Sequence, residues 1–450
     1  MIAPGTPPFS LSAAQAARAI RDGLLSAQDL VGSCLERIGE VDAQVQAWAF
    51  LDAEHALAQA RERDEARREG RAIGPLHGVP VAVKDLFDTA DMPTEDGSVL
   101  HAGRSPAHDA AAVRRLREAG AVIMGKTVTT EFAMYTPGKT RNPHDPAHTP
   151  GGSSSGSAAA VACGMVPLAL GSQTNGSVIR PASFCGVVGF KPSHGLISRH
   201  GMLTLSRTLD HVGVFGRELE DVALLMECLA GGDERDPDTR ARARIPFCEV
   251  AAQQPPLPPL LAFAKTPAWE LSDEDTREAF AELCDHLAGS IADLDLPASS
   301  AQAIELHRVV MEAEMAANLS SEWERGREQL SESLRTQLAR GRSVSALDYQ
   351  RAVARIAPIN EGFDEIFERC DAIVTPAAPG AAPRGLDSTG NPVFCTLWTY
   401  LGMPAITLPL LRAANGLPIG VQLIGQRHAD ARLLRTARWL LERVHADQAQ

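Results

Sequence analysis

No Cys-x-x-Cys pair occurs among the eight cysteines, which are scattered along the chain. Cys163, Cys185 and Cys228 stand in apolar surroundings and read as buried free thiols, which fits a reducing cytoplasm. Positive charge is the minority sign: 43 Lys and Arg against 56 Asp and Glu leave a net −13. A nucleic-acid role therefore has no electrostatic support, and the charge is read as a solubility feature. No segment offers the roughly 18 uninterrupted apolar residues of a membrane-spanning helix. The first ten residues hold no basic region followed by an apolar core, so no secretory signal is expected of them. Internal repeats are absent. His144 and His148 have the spacing of neighbours on a helix, but flanking prolines deny them one, and no metal site is expected there.

What is present is material for a large core: 450 residues, 44% hydrophobic and 22% charged. Length alone would allow about three domains. The expectation is instead one large α/β domain with appendages. Residues 10–38 show apolar residues at helical spacing, with Ser10 or Ser12 able to cap. Residues 53–71 predict a polar helix whose charges form a solvated face with i,i+4 pairs. Val79, Val81 and Val83 alternate in a strand over 78–86 that ends near Lys84. A helix over 109–119 and a strand over 121–124 follow, and this succession implies helices packed on a sheet. Residues 136–150 are a loop, 157–164 a short helix of small residues able to press close to neighbouring backbone, and 166–171 a strand. Residues 231–259 predict a surface excursion. Beyond it come a strand at 260–263, helices over 272–287, 301–319 and 347–367, a strand at 372–375, a loop at 376–384, a strand at 419–424 and a helix over 429–444.

Three separated segments carry candidate chemistry. Ser177 lies in Gly171-Ser-Gln-Thr-Asn-Gly-Ser177-Val-Ile-Arg180-Pro, after an apolar strand. Upstream stands Gly151-Gly-Ser153-Ser-Ser-Gly-Ser157, and before that Lys84 in Val81-Ala-Val-Lys84-Asp85. Two hydroxyls and one amine suffice for acyl transfer without histidine. A serine hydroxyl needs a base to take its proton. A lysine can be that base only where burial or a neighbouring cation keeps it neutral, and a second serine can relay the proton. Each residue also has a plainer explanation: Ser177 as a turn serine, Lys84 as a strand-end lysine paired with Asp85.

The pattern resembles the amidase signature family of Ser–cis-Ser–Lys hydrolases. Ser177 follows Ser153 by 24 residues, as in that family, and Lys84, 69 residues before Ser153, stands at the end of a Val-x-Val-Lys-Asp strand as the family's lysine does. The resemblance continues through Phe184-Cys-Gly-Val-Val-Gly-Phe-Lys191-Pro192, Leu209-Asp210-His211-Val-Gly, Gly402-Met-Pro-Ala-Ile-Thr-Leu-Pro409 and Gly416-Leu-Pro-Ile-Gly-Val-Gln422-Leu-Ile-Gly425. It is weakest over 231–370. It implies a single α/β/α domain around one mixed, twisted sheet over 1–450. Within it are an N-terminal helical segment (10–72), a signature core (73–230) and a variable, substrate-shaping region (231–394). It implies Ser177 as nucleophile, Ser153 as relay after a cis Gly152–Ser153 bond, Lys84 as base and Ser154 as support; Ser154 and Ser155 are rivals for the relay that the spacing disfavours.

The turn Thr174-Asn175-Gly176-Ser177 would aim its amides at an oxyanion. Here the chain departs from the family's commoner Asp-Thr-Gly-Gly-Ser. Asn175 tolerates positive φ, so the turn can survive, with a side chain that either narrows the pocket or adds a donor. Arg180 binds a substrate carboxylate in some relatives, or else fixes local loops. The resemblance makes Asp210–His211 structural; a Ser-His-Asp arrangement is the rival.

The implied reaction is hydrolysis of an amide C–N bond through an acyl-enzyme, with no metal and no organic cofactor. The partners are a small amide, ester or carbamate, with neither nucleic acid nor membrane, and a homodimer is left open. Rivals are an esterase or carbamate hydrolase with the same residues, the amidase component of a tRNA-dependent amidotransferase, and a silent binding scaffold.

Overall fold

The computed structural model describes residues 5–448. Its strands are β1 (Trp48–Leu51), β2 (Pro80–Lys84), β3 (Val122–Thr127), β4 (Leu168–Gln173), β5 (Val188–Lys191), β6 (His211–Gly216), β7 (Leu261–Ala264), β8 (Ile291–Leu294), β9 (Ala372–Pro376), β10 (Ala405–Arg412) and β11 (Pro418–Ile424). They join in one sheet in the order β1-β3-β2-β4-β6-β5-β10-β11-β9-β7-β8. β2 runs parallel to β3 and β4, and β7 runs parallel to β8 and β9. The central strands pair antiparallel. The sheet is mixed, as expected.

Alternation along the strands explains the layering. Val81, Val83 and Ile123 face one hydrophobic core, while Ala82, Val122 and Met124 face another on the opposite side. Both faces are therefore covered, which is why β2 and β3 read as continuous apolar runs. Among the described residues no helix is long and apolar enough to cross a membrane.

The first expected helix is two. Ser12 caps Ala13–Arg21 in a capping box with Gln15, and Ser26 caps Ala27–Val45. Gly23, at φ 74°, makes the break that the apolar spacing conceals. The polar helix Ala53–Arg68 is not wholly a solvated face. Asp64 is buried and accepts from the amides of Ala27 (2.8 Å) and Gln28 (3.1 Å), so it caps the preceding helix from a distance. No i,i+4 ion pair forms within 53–68 among the described residues. The helix expected over 347–367 breaks at Arg355 into Ala346–Ala354 and Ile356–Phe367. Short or polar elements escape the sequence pattern, β8, Phe247–Ala252 and Glu332–Ser343 among them, and so do the apolar Val393–Tyr400 and β10. All eight cysteines are free; Cys185 is buried, but Cys163 and Cys228 are only half-buried, because they sit near helix ends.

The small-residue helix Ser155–Ala162 does press onto the sheet. A Cβ on Gly156 would lie 2.3 Å from the Ala47 carbonyl oxygen and 2.5 Å from the Val128 amide nitrogen. Both are backbone atoms of well-packed segments and cannot rotate away. Gly156→Ala is expected to destabilise the protein by about 1–3 kcal/mol, the usual cost of overpacking, seen as a lower urea midpoint with an unchanged slope.

Candidate active site

β2 delivers Lys84 to its end with the side chain fully buried. Its Nζ donates to Ser153 Oγ at 2.7 Å and to Ser172 Oγ at 2.8 Å. Asp85 is not its partner: that carboxylate lies 3.1 Å from Lys126 Nζ and accepts from the Glu95 amide. Burial pushes the Lys84 ammonium well below its usual range, against the smaller opposing pull of Asp210. Asp210 is itself held up to about 6, chiefly by burial, while Thr174 Oγ1 donates to it at 2.7 Å.

Ser153 is buried, and the Gly152–Ser153 bond is cis. Ser154 Oγ donates to the Ser172 carbonyl and accepts from the Ser172 amide, so it ties the serine run to β4. Ser155 points elsewhere, to the Val128 carbonyl. Arg180 is 1% exposed and spans the site. Its Nη2 donates to the Gly152 carbonyl (2.7 Å) and to Thr389 Oγ1 (3.0 Å), and its Nε donates to the Thr389 carbonyl (2.8 Å). Nη1 is buried without a partner, and no carboxylate pairs with this guanidinium among the described residues.

Ser177 follows the turn after β4 and is half-buried. Its carbonyl accepts from the Ser154 amide, but its hydroxyl has no hydrogen-bond partner among the described residues. The expected second link from Ser153 is thus not formed. The amides of Thr174, Asn175, Gly176 and Ser177 likewise have no acceptor among the described residues. The turn's carbonyls are occupied instead: Thr174 by His307 Nε2 (2.9 Å), Asn175 by Thr399 Oγ1 (2.5 Å), Gly176 by the Arg180 amide (3.0 Å). Neither Asn175 nor Gly176 has positive φ, so the tolerance argued for asparagine is not used. Gly176 is needed for clearance, since a Cβ would lie 2.8 Å from Pro392 Cβ.

Several residues here escape the sequence. The apolar run ends at Gly171 and leaves Ser172 in the turn, yet β4 continues to Gln173, and the pairing of Val83 with Leu170 brings Ser172 beside Lys84. Gln173 Oε1 accepts from the Val178 and Ile179 amides, and its Nε2 donates to Thr399. Tyr135, Thr396 and Thr399 carry no motif. Asp210 and His211 do not form a dyad: His211 Nδ1 bonds the Leu209 carbonyl at 2.7 Å, and burial holds its ring well below the ordinary histidine range. His144 Nε2 meets the Cys185 carbonyl and His148 lies beside Asp145, so the two rings serve different loops.

The amidase family model matches residues 29–434. The chain belongs to the amidase signature family. It is an amidase, a hydrolase of amide carbon–nitrogen bonds. It is similar to a glutamyl-tRNA(Gln) amidotransferase subunit of Symbiobacterium thermophilum, at 36% identity over 96% of each chain. The corresponding subunit of Chloroflexus aurantiacus is 34% identical over 95% of each. Among solved structures, the peptide amidase of Stenotrophomonas maltophilia superposes with TM-score 0.86 at 28% identity, covering 98% of each chain. A chain from a vestigial complex bearing on the origins of an s-triazine catabolic enzyme gives 0.89 at 28% identity, covering 96% of this chain and 98% of that one.

Because the His211 ring faces backbone, replacing it should not remove a proton carrier. His211→Asn is expected to keep amide turnover within about tenfold of the parent, whereas loss of a general base costs about 10²–10⁴-fold. Steady-state kinetics of the folded variant decide between the two.

Proposed function

We propose that this amidase acts alone on small amides, with Ser177 as nucleophile, Ser153 as relay and Lys84 as base. The observation that carries this reading is the 2.7 Å hydrogen bond from the buried, carboxylate-free Lys84 amine to Ser153 Oγ. In the neutral amine, Nζ has a lone pair for the Ser153 proton, and Ser153 in turn takes the Ser177 proton. Ser177 Oγ then bonds the carbonyl carbon, and the oxyanion is met by the unpaired amides of Thr174–Ser177. The relay returns a proton to the nitrogen, the C–N bond breaks, and the amine leaves. Water repeats the sequence to free the acid. Ser154 supports the geometry through Ser172. Arg180 fixes the Gly152 carbonyl and offers Nη1 to an anionic group of the substrate. None of these steps calls on a metal or an organic cofactor.

The proposed division of the chain into helical lead (10–72), signature core (73–230) and shaping region (231–394) is supported by a cavity of about 650 Å³ that meets the core at Asn175. Ile304, Met311 and Asn391 of the shaping region contribute its other walls. The free cysteines and acidic balance support a cytoplasmic setting without nucleic acid or membrane. Esters and carbamates fit the same chemistry, since the acyl-enzyme does not select the leaving group, and a homodimer is compatible with it. A second reading, one component of an amidotransferase that works with partners, is favoured by the relatives at 32–36% identity. Against it stands Gln173-Thr-Asn175-Gly-Ser in place of Asp-Thr-Gly-Gly-Ser. Turnover of a simple amide by the purified single chain supports the first reading; turnover only with added partner chains supports the second.

Ser177→Ala should lower kcat by several orders of magnitude in a folded protein, and retention of more than about a tenth of the activity would remove it as nucleophile. Ser153→Ala should cost about 10²–10⁴-fold and Ser155→Ala far less.

The pH dependence follows from Lys84. Its depressed pKa keeps the amine neutral far below the normal lysine range, so activity is lost as pH falls through that pKa and is regained on the alkaline side. A kcat/KM profile should therefore rise from mildly acidic to alkaline pH, with its limb below that of an ordinary lysine. Lys84→Ala should be nearly inactive throughout.

A further inference from the structure

The carboxamide of Asn175 is fixed at both ends. Nδ2 donates to the Tyr135 hydroxyl at 3.0 Å, and Oδ1 accepts from Thr396 Oγ1 at 2.7 Å. Its backbone carbonyl accepts from Thr399 Oγ1 at 2.5 Å. Thr396 and Thr399 lie one turn apart on the helix Val393–Tyr400, so a single helix grips both the side chain and the backbone of this residue. Such a side chain swings aside only by giving up both of its side-chain hydrogen bonds.

Its position gives that rigidity a use. Asn175 stands two residues before Ser177, on the turn whose amides are unpaired, and it lines the 650 Å³ cavity. Met311, Ile304 and Val393 give the cavity apolar surface. Glu312, also on the lining, is paired with Arg308 at 2.8 Å and with Arg340 Nε at 3.0 Å, so the cavity holds charged groups beside its apolar ones. The asparagine side chain, which a glycine would lack, is the part of the 174–177 turn that lines this cavity.

We propose that Asn175 is a specificity-determining residue, a fixed wall between the Ser177 turn and the cavity that restricts the amidase to substrates with a short acyl group. The inference rests on Ser177 as nucleophile. An acyl carbon bonded to Ser177 Oγ lies beneath the 174–177 amides, and the group it carries must pass Asn175 to enter the cavity. Thr396 and Tyr135 are positioning residues that act through Asn175.

The test uses methanesulfonyl and hexanesulfonyl fluoride on the whole protein. Each forms an Oγ–S bond with loss of fluoride, and labelling is read by intact and peptide mass spectrometry. The ratio of hexane to methane rate constants cancels changes in the serine's own reactivity. Wild type should favour the methane reagent. Asn175→Ala and Asn175→Gly should raise the ratio about tenfold or more, within the range that methylene discrimination spans. Thr396→Val, which removes one tether and keeps the carboxamide, should raise it less, and it carries the test alone where the Asn175 variants do not fold. A ratio within about twofold of wild type in a folded Asn175 variant, with the label on Ser177, overturns this inference and leaves the nucleophile standing. Wild type that is labelled by neither reagent at Ser177 overturns the nucleophile assignment and this inference with it.

Discussion

A primary amine sits fully buried at the end of β2 with two serine hydroxyls, and no carboxylate, for partners. Water would hold this group as an ammonium; an apolar interior strongly disfavours the charge. The fold arranges both halves of that effect. Parallel strands on either side of β2 exclude solvent, and the acid whose charge Lys84 feels, Asp210, is turned toward Thr174 and the Leu205 and Ser206 amides. Asp85, adjacent in sequence, is occupied by Lys126. The diversion of two carboxylates away from one amine is what separates this lysine from a salt-bridged one.

The parts legible in the sequence are those where chemistry and spacing coincide. Lys84, Ser153 and Ser177 stand out because a hydroxyl and an amine in glycine-rich or strand-end settings lack a simple structural explanation when found together. The strands β2, β3 and β4 are visible as apolar runs. What stays hidden depends on tertiary neighbours. Ser172 looks like any polar residue at a strand end until β4 is paired with β2. Thr396 and Thr399 sit on a helix whose sequence, Val393-Phe-Cys-Thr-Leu-Trp-Thr-Tyr400, is β-branched and aromatic enough to pass for a strand. Burial on all sides, not propensity, makes it a helix. Gly23 is masked because the apolar spacing resumes on its far side.

The division of labour between segments follows from this. Groups with distinctive chemistry come from the first half of the chain, and the walls of the cavity come mainly from the second half. Packing constrains the first set tightly: Gly152, Gly156 and Gly176 each have another chain segment within 3 Å of a would-be Cβ. The second set lies on helices whose solvent-facing sides tolerate change. Two relatives can therefore share the turn and the lysine while differing in what they admit.

The order of strands carries a consequence for how the chain comes off the ribosome. β10 and β11, residues 405–424, are the last strands in the chain yet not the outermost in the sheet; they are inserted between β5 and β9. Until they emerge, the strands made earlier form two separate half-sheets, each with an open edge at β5 or β9. Unpaired edges of this kind template association with other chains. Almost the whole polypeptide must be synthesised before either edge is closed, and the β5 edge stays open from residue 191 until β10 emerges at residue 405.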